Sequence, residues 1–342
     1  MSASDVVILF GGSSSERRVS VASAQHVADL LPEAEPLYFA ETGAVFRTRR
    51  EQLLSFQRPF ENDFVPEGEH AYSTLVQAAE ALSQRVFLIA LHGGEGEDGT
   101  VQRILEGRRI AFTGPGATAS ARAFDKEVAK EIAAAAGVRI AQSVHLSSKP
   151  QVMREELREM VRLHGRVVAK PVAGGSSVGL YHLRSAADVE AAALGIEESG
   201  EGYLVEQFVS GTELTVGVVD GPSGTRALPP SEVRLDEGRA FDFEGKYLGK
   251  GTKEITPAEV PPDTNRAAQR LALDAHRALG CEGYSRTDMI VSGGSPVFLE
   301  LNTLPGLTRA SFIPQQLAAE GTKVVDFLIG QIELARRRRA RP

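Results

Sequence analysis

The feature that most constrains the fold is a repeated unit of apolar strand, glycine-rich turn and helix. Residues 6–10 (Val-Val-Ile-Leu-Phe) run straight into Gly11-Gly12-Ser13-Ser14-Ser15-Glu16 and then into a helical pattern over 19–31. The unit returns at 85–91, a buried-strand run ending in His92-Gly93-Gly94-Glu95-Gly96-Glu97-Asp98-Gly99 ahead of a helix over 100–106. Strands that alternate with helices argue for a parallel sheet, whose ligand crevice lies at the carboxyl ends of the strands. Both glycine turns fall there. The stretch 41–69 is polar and poorly periodic and carries no element assignment.

After Thr113-Gly114-Pro115-Gly116 the pattern changes, and a domain boundary is placed at Gly114. An alanine-rich stretch over 119–136 reads as one helix closed by Gly137. A strand over 166–171 enters the Gly174–Gly179 loop and continues as a second strand through Arg184, a hairpin around mobile backbone. Further strands are expected at 203–208 and 212–219, and 285–291 pairs with 297–301 across Gly293-Gly294. The expected fold class is therefore α/β plus α+β: a parallel first part, then antiparallel sheets.

Length and charge narrow the function classes. At 342 residues the chain exceeds one ordinary core, which favours two or three domains around a shared site. The net charge of −7 is mild and the cations are scattered, so nucleic acid is not the expected partner. The exception, Arg336 to Arg339, reads as the solvated end of a last helix, where cations suit the dipole. Cys281 is the single cysteine, which rules out an intramolecular disulfide and fits a reducing cytoplasm. No signal-peptide pattern and no run of about 18 apolar residues is present, so export and membrane insertion are disfavoured.

Asp288, Glu300 and Asn302 form the sharpest chemical constellation. Glu300 and Asn302 lie two apart on one strand and so face the same way; with Asp288 they offer hard oxygen ligands suited to magnesium and nucleotide phosphates. Lys126 and Lys170 stand beside a helical element and a glycine loop, where lysines neutralise phosphate while loop N–H groups cover it. The parts of a zinc hydrolase, a serine hydrolase, a dinucleotide fold and a Walker loop are missing.

In order along the chain, the motifs resemble those of the D-alanine–D-alanine ligases of the ATP-grasp superfamily. They are Gly11-Gly12-Ser13-Ser14-Ser15-Glu16-Arg17-Arg18-Val19-Ser20, Leu91-His92-Gly93, Gly96-Glu97-Asp98-Gly99-Thr100, Thr113-Gly114-Pro115-Gly116 and Asp125-Lys126. Lys170-Pro171, Gly175-Ser176-Ser177-Val178-Gly179, Phe241-Asp242-Phe243-Glu244-Gly245-Lys246-Tyr247, Arg286-Thr287-Asp288 and Glu300-Leu301-Asn302-Thr303-Leu304-Pro305-Gly306 follow. The resemblance implies a substrate-binding α/β domain over 1–114, then a two-lobed ATP-grasp fold with a central lobe over 115–208 and a C-terminal lobe over 209–342. It implies ATP-dependent formation of D-alanyl-D-alanine through an acyl phosphate, for peptidoglycan precursors, by a cytoplasmic homodimer.

The same resemblance implies residue roles. Glu16 would receive the first ammonium group, with Ser176 and Tyr247 completing a hydrogen-bonded triad. Lys126, Lys170 and Ser177 would hold ATP phosphates; Glu206, Gln207, Phe208 and Val209, helped by Glu213, would take adenine and ribose. Asp288, Glu300 and Asn302 would hold two magnesium ions, with manganese as a substitute. Arg286 and the Gly306 N–H would stabilise the oxyanion, and Lys246 the transferring phosphoryl group. His92 would contact substrate and Ser311 the second substrate's carboxylate. Departures from the family pattern fall largely on the second-substrate side: Phe241 and Phe243 for tyrosine, Gly174, Leu304 for serine, Arg309, and Ala310 for histidine. The alternative acceptors are D-serine, D-lactate or an amino acid of secondary metabolism, with Tyr247 opposing D-lactate.

Overall fold

The computed structural model describes residues 3–175, 178–235 and 252–339. Among them the strands form three sheets, and the first begins with β1 (Val6–Gly11), buried along its whole length. Helix α1 (Arg17–Leu30) returns the chain to β2 (Glu35–Phe39), with β3 (Val45–Arg47) and α2 (Arg50–Ser55) beyond it. Those two short elements occupy the stretch that had no assignment. Helix α3 (Leu75–Ala81), β4 (Val86–Ile89), α4 (Gly94–Glu97), α5 (Thr100–Glu106) and β5 (Ala111–Phe112) complete the unit.

The strand order is β3-β2-β1-β4-β5, with β1 parallel to both β2 and β4. Connections therefore leave β1 in one direction and β4 in the other, which opens a crevice at their carboxyl ends. Gly11 and Gly93 make its floor possible. Gly11 has φ +100°, and a Cβ there would lie 2.5 Å from the Phe39 carbonyl oxygen.

The alanine-rich stretch is not one helix: α6 (Ala117–Phe124) ends at Asp125 and α7 (Lys126–Ala135) starts on the next residue. Propensity favours continuity, but Asp125 adopts φ −83°, ψ 106°, and its carboxylate accepts from the N–H groups of Glu127 and Val128, both at 3.0 Å. An aspartate that caps a helix outweighs the helix preference of its alanine neighbours. The break turns Lys126 toward the 172–175 segment, where its N–H donates to Val172 O at 2.9 Å.

The second sheet, β6-β9-β7-β8, is antiparallel and comprises β6 (Ser143–His145), β7 (Val167–Pro171), β8 (Tyr181–Leu183) and β9 (Tyr203–Gln207). Helices α8 (Pro150–His164) and α9 (Ala186–Ser199) contribute Met153, Leu157, Val189 and Ile196 to its core. The third sheet runs β13-β12-β10-β14-β15, built from β10 (Thr212–Gly221), β12 (Ser231–Leu235), β13 (Thr252–Ile255), β14 (Tyr284–Ser292) and β15 (Ser295–Asn302), with β11 (Gly224–Ala227) pairing the C-terminal end of β10 on the edge it shares with β12. Helix α10 (Pro262–Ala278) packs Ala268, Leu271 and Ala275 against it. The expected α/β plus antiparallel α+β class is the observed one.

Helices α11 (Phe312–Ala319) and α12 (Val324–Arg339) return the chain to the first sheet, whose core includes Phe327, Leu328 and Ile332. This corrects the expectation of a merely solvated arginine run. Arg336 pairs with Asp5 at 2.5 Å, and Arg338 donates to the carbonyls of Phe112 and Gly114, which are left open where β5 ends.

Candidate active site

Two cavities meet in the middle of the molecule. One, about 640 Å³, is bordered by Glu16, His92, Glu97, Arg286, Gly306 and Ser311; the other, about 730 Å³, by Lys170, Glu206, Gln207, Phe208, Val209, Glu213 and Asp288. Lys126, Gly174, Gly175 and Glu300 line both, so they form the common wall.

The hairpin of β14 and β15 builds that wall from register. Arg286 lies opposite Asn302 and Asp288 opposite Glu300, which puts four polar side chains on one face before the bulge between Asp288 and Met289. Arg286 grips Asp288 with two bonds, Nε to Oδ1 at 2.9 Å and Nη2 to Oδ2 at 2.7 Å. Asn302 Nδ2 donates to Asp288 Oδ2 at 3.1 Å and the Thr215 hydroxyl to Oδ1 at 2.5 Å. Glu300 faces Lys126, whose Nζ lies 3.9 Å away and donates to Gly174 O at 2.5 Å.

Glu16 sits at the head of α1, in the crevice between β1 and β4. A Cβ on Gly93, where φ is +64°, would come within 2.7 Å of Glu16 Oε2, and one on Gly175 within 3.4 Å. The glycines let backbone close on the carboxylate from both sides. Glu97 accepts from Gly93 N–H at 3.0 Å, and its acid is pushed up to about 8 by burial, reinforced by the charge of Glu16. Glu97 belongs to a quoted motif, yet only its burial in the folded chain marks it as a protonated acid near neutrality.

His92 is buried, and both ring nitrogens are engaged. Nδ1 donates to Leu304 O at 2.8 Å, so Nε2 accepts from the Ser23 hydroxyl at 2.8 Å. Ser23 Oγ in turn accepts Leu307 N–H at 3.2 Å, and His26 Nδ1 donates to Leu307 O at 2.7 Å. Burial holds the His92 imidazole below its ordinary pKa, which keeps it neutral in this chain of bonds. His92 thus borders the cavity while anchoring the loop that carries Gly306. Ser311 Oγ lies 2.8 Å from Thr308 Oγ1 and accepts Thr308 N–H at 3.1 Å. Ser23 and His26 carry no motif of their own; their partners lie 284 and 281 residues away.

In the second cavity Lys170 Nζ pairs with Glu206 Oε1 at 2.7 Å, and Lys130 pairs with the other oxygen. The Arg166 guanidinium stacks 3.4 Å above the Phe208 ring. Arg166 joins the expected residues lining this cavity, and Lys130 stands behind Glu206; it follows Lys126 by one helical turn, the only local sign of it. Ser176, Ser177, Phe241, Phe243, Lys246 and Tyr247 lie outside the described residues.

Comparison with known proteins identifies the family. Residues 5–115 match the family described as "D-ala D-ala ligase N-terminus" and residues 132–332 the one described as "D-ala D-ala ligase C-terminus". The D-alanine–D-alanine ligase of Leptospira interrogans is 34% identical over 346 residues, covering 97% of this chain and 98% of that one. Among solved structures, the VanG D-Ala:D-Ser ligase of Enterococcus faecalis superposes with a TM-score of 0.79 at 27% identity, covering 96% of this chain and 98% of that one. The Bacillus anthracis D-alanine–D-alanine ligase complexed with ATP gives 0.74 at 26%, with 98% of both chains covered. Since both family halves match in chain order and a full-length relative shares a third of its residues, the chain belongs to the D-alanine–D-alanine ligase family and is a ligase enzyme.

Proposed function

We propose that the chain condenses two D-alanine molecules into D-alanyl-D-alanine with conversion of ATP to ADP and phosphate, a step that supplies the peptide of the bacterial cell wall. The observation that carries this reading is the common wall: a chamber with a carboxylate for an ammonium group meets a lysine-lined chamber at Lys126 and Glu300. That junction is where a phosphoryl group has to pass from nucleotide to amino acid.

Asp288, Glu300 and Asn302 suit magnesium. Two carboxylates and an amide oxygen on one face of the β14–β15 hairpin are hard donors that leave positions for phosphate oxygens and water, as this cation prefers. When bound, magnesium neutralises the phosphate oxygens between which charge moves. A reducing cytoplasm suits Cys281, which is buried with its thiol pushed up to about 12 by desolvation.

In this reading Glu16 takes the first D-alanine's ammonium group, and Lys126 and Lys170 hold the phosphate chain. The substrate carboxylate attacks the terminal phosphorus, ADP leaves, and an acyl phosphate forms. The free amine of the second D-alanine, its carboxylate on Ser311, then attacks the acyl carbon. Arg286 and Gly306 N–H stabilise the oxyanion until phosphate departs and the amine loses its proton. The resemblance to the family assigns the phosphate chain to Ser177, the transferring phosphoryl group to Lys246 and a triad with Glu16 to Ser176 and Tyr247, residues that lie outside the described ones.

The test is incubation of the purified protein with ATP, magnesium and D-alanine, with D-serine as a competing acceptor because of the likeness to VanG. Equal amounts of ADP, phosphate and D-alanyl-D-alanine are expected. ADP without any D-alanyl product would refute the reading.

A further inference from the structure

We propose that Lys130 is a positioning residue of the nucleotide site: it holds one oxygen of Glu206 so that Lys170, on the other oxygen, can be given up to the phosphates of a nucleoside triphosphate. The proposal rests on the reading of Lys170 as a phosphate ligand.

The three side chains converge from different elements. Glu206 on β9 is paired with Val168 on β7, so it shares a sheet face with Lys170 two residues on; Lys130 reaches the same carboxylate from α7. All are buried, with 2% of Lys130, 5% of Glu206 and 8% of Lys170 exposed. Burying three charges is costly, and an apolar cluster of the same volume would pack as well. A structural account alone does not explain the arrangement.

Stoichiometry and placement do. One carboxylate with one lysine is a neutral pair with nothing left for an anion. One carboxylate between two lysines carries a surplus positive charge. The surplus has a direction: Lys170 and Glu206 line the cavity, and Lys130 does not. Lys130 is therefore the back anchor. When a phosphate draws Lys170 away, Glu206 keeps a partner and stays ionised in its buried site. Burial raises the Glu206 acid, but Lys170 and Lys130 together more than reverse this. Burial also lowers Lys130, against the pull of Glu206, so the ammonium depends on that carboxylate.

The experiment is calorimetric titration, with magnesium, of a non-hydrolysable ATP analogue (adenylyl imidodiphosphate) and of adenosine as a phosphate-free probe. Lys130→Met should weaken the analogue by about tenfold, the scale of one impaired charge-assisted contact, and leave adenosine unchanged. In turnover, the KM for ATP should rise while kcat at saturating ATP holds. Lys130→Arg keeps a cation on the Glu206 oxygen and should retain most of the analogue affinity, because Lys170 is then held by Glu206 no more tightly than in the parent. Equal weakening of both probes, or a loss in Lys130→Arg as large as that in Lys130→Met, would overturn the proposal. Should Lys130→Met fail to fold, Lys130→Gln is titrated in its place: weaker analogue binding with adenosine unchanged supports the proposal, and parental analogue affinity or equal weakening of both probes overturns it. Lys170→Ala separates the two readings. If it weakens the analogue while Lys130→Met does not, only the role of Lys130 falls; if it has no effect, the phosphate assignment itself is wrong.

Discussion

Removing one oxygen atom from α1 should impair chemistry at a loop almost three hundred residues away in sequence. Ser23 is fully buried; its hydroxyl donates to His92 Nε2 and accepts from Leu307 N–H. Ser23→Ala leaves almost no void, so its cost is that of two unpaired buried groups. At about 1–3 kcal/mol each, with the 3.2 Å bond the weaker, the sum is roughly 2–4 kcal/mol. His92 cannot compensate by changing tautomer, because its Nδ1 proton is committed to Leu304 O. Gly306 lies between the two tethered residues, Leu304 and Leu307. Loss of an oxyanion donor elsewhere costs about 10²–10³ in kcat, which bounds the effect of loosening this one. We expect kcat to fall by roughly tenfold or more, with the KM for ATP unchanged and a lower melting temperature. Phosphate release at saturating D-alanine and a thermal melt measure both. Parental kcat together with a parental melting temperature would refute the argument.

Three further outcomes follow from the site. The Glu97 acid is raised from 4.5 to about 8 in the folded chain, so the unfolded state ionises first and the parent should lose stability as pH rises through that window. Glu97→Gln removes this slope, and urea unfolding of both proteins at about pH 5 and about pH 8.5 should show their difference shrinking or reversing at the higher pH; parallel profiles would contradict the burial of the acid. Gly93→Ala forces a side chain into backbone angles open essentially only to glycine (φ +64°, ψ 177°), at roughly 1–3 kcal/mol, and brings a methyl group within 2.7 Å of Glu16 Oε2. The KM for the first D-alanine should rise by more than the KM for ATP, and the reverse ranking would remove Glu16 from the ammonium site. Asn302→Ala, or omission of magnesium, should abolish turnover in a folded protein, as circular dichroism and ADP release would show; near-parental turnover in Asn302→Ala would remove it from the metal site.

Much of the architecture was legible in short stretches, because short stretches carry the physics that decides it. An apolar run into Gly11-Gly12 dictates strand then turn, and the two-residue period of a strand puts Glu300 and Asn302 on one face whatever surrounds them. Pairing across Gly293-Gly294 alone would set Asp288 opposite Leu299; the bulge between Asp288 and Met289, which the local pattern does not announce, shifts it onto Glu300. Where local forces compete, the chain pattern misled: alanine propensity argued for one helix over 119–136, and the Asp125 carboxylate, capping α7, made two.

Long-range burial decided the rest. Arg338 resembles any solvated terminal cation until α12 packs on the first sheet and offers it the open carbonyls of Phe112 and Gly114. Glu97 is an ordinary acid until desolvation beside Glu16 keeps its proton on. Lys130 is a surface lysine by its helical neighbours alone, and becomes one arm of a shared carboxylate only when β9 delivers Glu206 beneath it. Residue types and their local periods determined which groups were available and which way each strand and helix would present them. Their charge states and partners were decided by the folded interior, since desolvation and hydrogen bonding act between atoms that are close in space and distant along the chain.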